Sequence, residues 1–99
     1  MNTEKFTVKA QSALVRSQEI ATEHQNQYVE NLHVLKAMIE NEEYVTNYLL
    51  KKCNVNTILL AQTLDKAIDH LPKIDSVNTV YLSQSVSTML QKSFKYLTE

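Results

Sequence analysis

The chain has 99 residues, a net charge of −1 and no glycine at all, where about seven glycines would be expected at average usage. Without glycine there is no Walker A loop, no dinucleotide-binding fingerprint and no Asn-Gly hairpin, and a single proline leaves few breakers to interrupt helices. Lys+Arg 10 against Asp+Glu 11 gives no basic footprint for nucleic acid or an anionic membrane.

The first predicted helix runs from about Phe6 to His24. Phe6, Ala10, Ala13, Leu14, Ser17, Ile20 and Ala21 recur at three- and four-residue steps, which makes one apolar stripe. The stripe is rich in Ala and Ser and lets a neighbouring helix approach closely. Thr7 serves as its N-cap, with Asn2 or Thr3 as an earlier start. His24-Gln25-Asn26-Gln27 forms its exit, with Asn26 in the left-handed conformation.

A second helix is expected over Asn31 to Glu40, with Leu32, Leu35, Met38 and Ile39 on its apolar face. A third begins near Asn41 and turns Val45, Tyr48 and Leu49 inward. Glu42 and Glu43 in its first turn, and Lys51 and Lys52 in its last, suit the helix dipole. Asn54 takes the left-handed stop position in place of glycine, Val55 folds back on the helix end, and Asn56 caps the next helix. That fourth helix carries Ile58, Leu60, Ala61, Leu64, Ala67, Ile68 and Leu71, and Pro72 ends it.

Residues 73–81 lack helical period and read as a linker. Val77 to Leu82 has strand character, but no obvious partner. Ser83 then caps a fifth helix with Val86, Met89, Leu90, Ser93 and Leu97 on one side. When Leu82 is laid on Phe6, Ser83 falls on Thr7, Val86 on Ala10, Met89 on Ala13, Leu90 on Leu14 and Ser93 on Ser17. Two generic amphipathic helices and an internal repeat of four helices both accommodate this match.

No constellation for catalysis or metal binding stands out. His33 has leucines on either side, and its expected role is structural, hydrogen-bonding a nearby loop or cap. His24 and His70 fall at helix C-termini, where the dipole favours them. No two histidines stand four apart, and Cys53 has no second cysteine for a zinc site or a disulfide. A lone cysteine suits a reducing cytosol. Cys53 sits at a helix C-terminus, which disfavours a thiolate, so it reads as a buried or half-buried small apolar residue. Glu40, Glu42 and Glu43 read as a solvated helix start. Tyr28, Tyr44, Tyr48, Tyr81 and Tyr96 suit either the rim of a core or a binding surface. No apolar run approaches the roughly 18 residues of a membrane span.

The segments EKFTVKAQSALVRSQEIA, NQYVENLHVLKAMIE, YLLKKCNVN and LDKAIDHLPKI resemble the Clp N-terminal repeat domain, in the form carried by ClpB-type disaggregases. The resemblance rests on Phe6-Thr7, Leu32-His33-Val34-Leu35, Leu49-Leu50, Asn54-Val55-Asn56 and Leu71-Pro72 in order and spacing, and it covers residues 1–97. It departs from the family pattern at Asn54, where glycine is usual, and at Glu30-Asn31, where Thr-Pro is common, which weakens that N-cap. The resemblance implies an all-α fold with a first repeat at residues 1–72, a linker at 73–81, and the first helix of an incomplete second repeat at 82–99. It also implies that the chain is an excised piece of a longer one, without the ATPase modules.

The function so implied is non-catalytic and cofactor-free. It is the capture of unfolded or aggregated polypeptides, or the docking of an adaptor, for a hexameric AAA+ ring in the cytoplasm. Carried over by position, Thr7, Val86, Met89 and Leu90 are the substrate-binding candidates, while Lys92 replaces an apolar residue of some relatives. A free-standing helical adaptor is the alternative.

Overall fold

The structure is a computed structural model. It describes residues 8–41 and 45–98, with side chains for 8–41 and 46–92. Phe6, Thr7, Glu42, Glu43 and Tyr44 lie outside the described residues, as do the side chains of Ser93, Tyr96 and Leu97.

Five helices and two short strands follow one another: α1 (Val8–Glu23), β1 (Tyr28–Val29), α2 (Asn31–Glu40), α3 (Val45–Lys52), α4 (Thr57–Asp69), β2 (Tyr81–Leu82) and α5 (Gln84–Thr98). The fold is all-α in character. α2 is the central element, packed between α1 and α4. Ile20 of α1, Ala37 of α2 and Ile68 of α4 meet in the core, with Leu32 packed against them. Complete burial of an isoleucine contributes about 1.5–3 kcal/mol, and Ile20 and Ile68 are both of this kind. Ala13, Ser17 and Ala21 form the buried small-residue stripe of α1 that the sequence predicts, whereas Ala10 is exposed. The hydroxyl of Ser17 is satisfied within the helix, donating to the Leu14 carbonyl at 2.6 Å.

Helix ends are fixed by side-chain chemistry. Asn54 has φ 63°, and the Val55 N–H bonds the Leu50 carbonyl at 2.9 Å while the Asn54 N–H bonds Lys51 at 3.0 Å, a Schellman stop. Asn56 caps α4 by accepting from the Leu59 N–H at 3.0 Å. The same stop closes α1, but with Gln25 rather than Asn26 as the left-handed residue, at φ 58°. The Asn26 amide is committed elsewhere: it is buried, and its Nδ2 donates to the Pro72 carbonyl at 3.1 Å.

Three further expectations need correction. Tyr48 and Leu49 do not face inward; they are 60% and 54% exposed, and Asn47 is the buried residue among the described side chains of α3, which do not include that of Val45. Its Nδ2 donates to the Ile39 carbonyl at 2.6 Å and so satisfies the end of α2. Ile58 points outward from the first turn of α4. Cys53 is exposed rather than buried.

The strand around Tyr81 does have a partner. Tyr28 pairs with Tyr81 and Val29 with Leu82 in a parallel ladder. Parallel strands need a crossover, and α2, α3 and α4 provide it. The segment between α4 and β2 is held along the exit of α1. The Ile74 N–H donates to the Gln25 carbonyl at 2.9 Å, the Gln27 side chain to Thr79 at 2.6 Å, and the Lys73 ammonium to His24 at 3.0 Å.

Candidate functional site

β2 ends at Leu82, and α5 starts immediately after Ser83. The Ser83 hydroxyl accepts from the Val86 N–H at 3.1 Å, the cap expected from the sequence. The cap and the ladder fix the phase of α5. Val86, Met89 and Leu90 stand at i, i+3 and i+4 and share one face. That face grades from core to solvent. Val86 is fully buried, Leu90 is half-buried and Met89 is 38% exposed. Of the four residues singled out by sequence, Met89 and Leu90 thus reach the surface of α5, Val86 lies buried on the same face, and Thr7 lies outside the described residues. Lys92 is exposed one turn beyond Thr88.

Two other sets of exposed apolar side chains lie on the surface. Tyr28 and Tyr81, register partners in the ladder, hold their rings 6.5 Å apart at an interplanar angle of 45°. The other set is on α3 and the start of α4, where Tyr48, Leu49, Val55, Ile58 and Leu59 are all exposed. Of this second set, sequence reasoning had only Tyr48 among its surface candidates and missed the rest. The signal was the run Ile58-Leu59-Leu60-Ala61, which puts apolar residues around the full circumference of α4 and leaves one side without a core to face.

The polar residues point to structure rather than chemistry. His33 is fully buried. Its Nδ1 accepts from the Glu30 N–H at 2.8 Å, and its Nε2–H donates to Asn26 Oδ1 at 2.9 Å. These two bonds require the neutral imidazole. Burial holds its pKa below the ordinary 6.5, with the neighbouring His24 acting in the same direction and the Glu30 carboxylate opposing it. Glu30 and His33 thereby form a reciprocal capping box at the start of α2, so this end is held despite the absence of the common Thr-Pro start. His24 and His70 lie at helix C-termini as expected, each with Nδ1 at the carbonyl four residues earlier, at 2.9 Å and 2.7 Å. No group of three or more metal-ligating side chains occurs among the described residues, and no described helix is long and apolar enough to cross a membrane.

Comparison with known proteins places these features in a family. The family described as the Clp repeat (R) N-terminal domain matches residues 5–98. A chaperone protein ClpB of Porphyromonas gingivalis is 35% identical over 91 residues, covering 92% of this chain and 10% of that protein. A chaperone protein ClpB of Bacteroides thetaiotaomicron is 33% identical over 99 residues, covering 100% of this chain and 11% of its own length. The chain thus spans about a tenth of the length of the curated relatives it matches. A solved structure from preliminary structural investigations of a malarial protein secretion system superposes with a TM-score of 0.73 at 21% identity, over 88% of this chain and 60% of that one, which shows a shared fold.

Proposed function

Because the chain belongs to the Clp repeat N-terminal domain family, we propose that it is a non-catalytic module that captures unfolded or aggregated polypeptide, or docks an adaptor, for a ClpB-type chaperone. In this reading residues 1–72 form a first repeat, 73–81 the connection and 82–99 the opening helix of a second repeat. ATP-driven work falls to other parts of a hexameric, cytoplasmic machine.

The observation that carries this reading is the graded face of α5, with Met89 partly exposed above a buried Val86. Capture of many sequences calls for apolar area that adapts its shape, rather than for directional hydrogen bonds. Methionine is unbranched and polarizable and suits such a surface. Each square ångström of apolar surface covered contributes about 25 cal/mol, so a shallow face of one or two side chains binds weakly and releases readily. Buried Val86 and the Ser83 cap hold the backbone beneath it fixed.

The test is binding to a permanently unfolded polypeptide, reduced and carboxymethylated so that it has no native state. The unmodified chain binds it, and Met89→Asp weakens binding while leaving the helical circular-dichroism signal unchanged. Equal binding by the variant removes α5 as the capture surface.

A further inference from the structure

A second surface is lined by residues of α2, α3 and α4 and by none of α5. An open groove of about 300 Å³ runs between α2, α3 and α4, with Ile39, Ala61 and Ile58 among its apolar lining. Ile58 is 72% exposed on its wall, and Tyr48 and Leu49 extend apolar surface over the neighbouring faces of α3. Concentrated apolar surface of this kind on a small domain marks an interaction site.

Among the described residues, the carboxylates around the groove are paired and its lysines are not. Glu40 on the rim is bound by Arg16 at 2.8 Å, and Asp65 by Lys36 at 3.0 Å. Lys51, which lines the groove, and Lys52 beside it form no ion pair with a carboxylate among the described residues. The Lys52 ammonium stands 5.4 Å from the centre of the Tyr48 ring, a cation–π contact that stations it next to the apolar surface.

We infer that this groove docks a segment of a partner protein that sets an apolar side chain against Ile58 and Ala61 and an acidic side chain against Lys51. A second copy of the chain is a poor occupant, because a two-fold contact through this face brings like-charged lysines together. An anionic membrane is also disfavoured. Two lysines beside the carboxylates of Glu40 and Asp65, on a chain of net charge −1, make no polybasic patch. An amphipathic helix with an acidic flank meets both requirements, since helix-in-groove recognition presents anchors along one face with charges beside them. This docking is independent of polypeptide capture by α5, and either holds without the other.

The experiment titrates the isotopically labelled chain with three amphipathic helical peptides of about fifteen residues. They share one leucine face and carry Glu, Gln or Lys on the flank. The Glu peptide is expected to shift amides centred on Asn47, Lys51, Ile58 and Ala61, and to bind about tenfold more tightly than the Gln peptide. Lys51→Glu reverses the preference between the Glu and Lys peptides, and Ile58→Ser weakens all three. Met89→Asp changes none of these affinities. Equal binding of the three peptides, shifts centred on Met89 and Leu90, or the same shifts produced by phosphatidylserine vesicles would each overturn the inference. Both groove positions are exposed, and unchanged melting of the two variants confirms that they fold.

Discussion

His33 and Asn26 are joined by a 2.9 Å hydrogen bond inside the fold, and both side chains are buried. Through this bond one imidazole connects three segments. Its other nitrogen caps α2 at Glu30, and the Asn26 amide reaches on to the Pro72 carbonyl. Truncation by His33→Ala strands the Glu30 N–H and Asn26 Oδ1, at a cost of about 2–4 kcal/mol. Denaturant unfolding of the variant measures it.

The same bond sets a pH dependence. The His33 pKa is below its ordinary 6.5 in the folded state. At pH well above 6.5 the group is neutral in both states, and the full stability is present. As pH falls through 6.5, the unfolded chain takes up a proton that the folded chain refuses, and stability declines until the folded-state pKa is reached. The slope contributed is at most about 1.4 kcal/mol per pH unit. Urea midpoints measured between pH 7 and pH 5 fall for the unmodified chain. In His33→Gln the contribution of this group to that fall is gone.

The two left-handed stops sit on residues with side chains, Gln25 at φ 58° and Asn54 at φ 63°. Glycine adopts this region without a Cβ clash. Gln25→Gly is therefore expected to stabilise by about 0.5–1 kcal/mol, with a smaller gain for Asn54→Gly, since asparagine already tolerates the region. Asn54→Ala destabilises by about 1 kcal/mol. Thermal melts of the three variants give the order.

Arg16 is bonded to Glu40 at 2.8 Å and to Glu23 at 3.0 Å, and these carboxylates keep its guanidinium firmly charged. The pairs are nevertheless solvent-accessible, so Arg16→Ala costs less than about 1 kcal/mol. The difference between variant and unmodified chain shrinks further in molar salt, where charges are screened.

Asn47 gives a sharper effect from a neutral side chain. It is buried, and its amide satisfies the Ile39 carbonyl at 2.6 Å and the Asn41 carbonyl at 3.3 Å. Asn47→Ala leaves those carbonyls without this donor and costs about 1–3 kcal/mol. A double-mutant comparison with Arg16→Ala then separates a buried cap from an exposed ion pair.

Local chemistry was legible in the chain, and long-range pairing was not. The Asn54 stop, the Asn56 and Ser83 caps and the bounds of α2 follow from residues within one helical turn of the feature they fix. Asn26 fails this logic, because its amide is claimed by His33 and by Pro72, which is distant in sequence, and the left-handed position passes to Gln25. α3 fails for a different reason. A helix as short as Val45–Lys52 has too few turns for periodicity to fix its phase, and the need to satisfy α2's carbonyls turns Asn47 inward and Tyr48 and Leu49 out. The Tyr28–Tyr81 ladder joins segments separated by three helices, and strands of two residues carry no alternation to read. At the candidate site, the shared face of Val86, Met89 and Leu90 was visible in their spacing. The depth of each residue depends on the ladder and cap that orient α5, which spacing alone does not give.

Polypeptide capture by α5 is tested most directly by titrating the isotopically labelled chain with the carboxymethylated unfolded polypeptide and following amide shifts residue by residue. Capture predicts saturable shifts centred on Met89 and Leu90 that Met89→Asp abolishes, with α2 and α4 core amides unmoved. Saturable binding with no shift on α5, or undiminished binding by Met89→Asp, would contradict it.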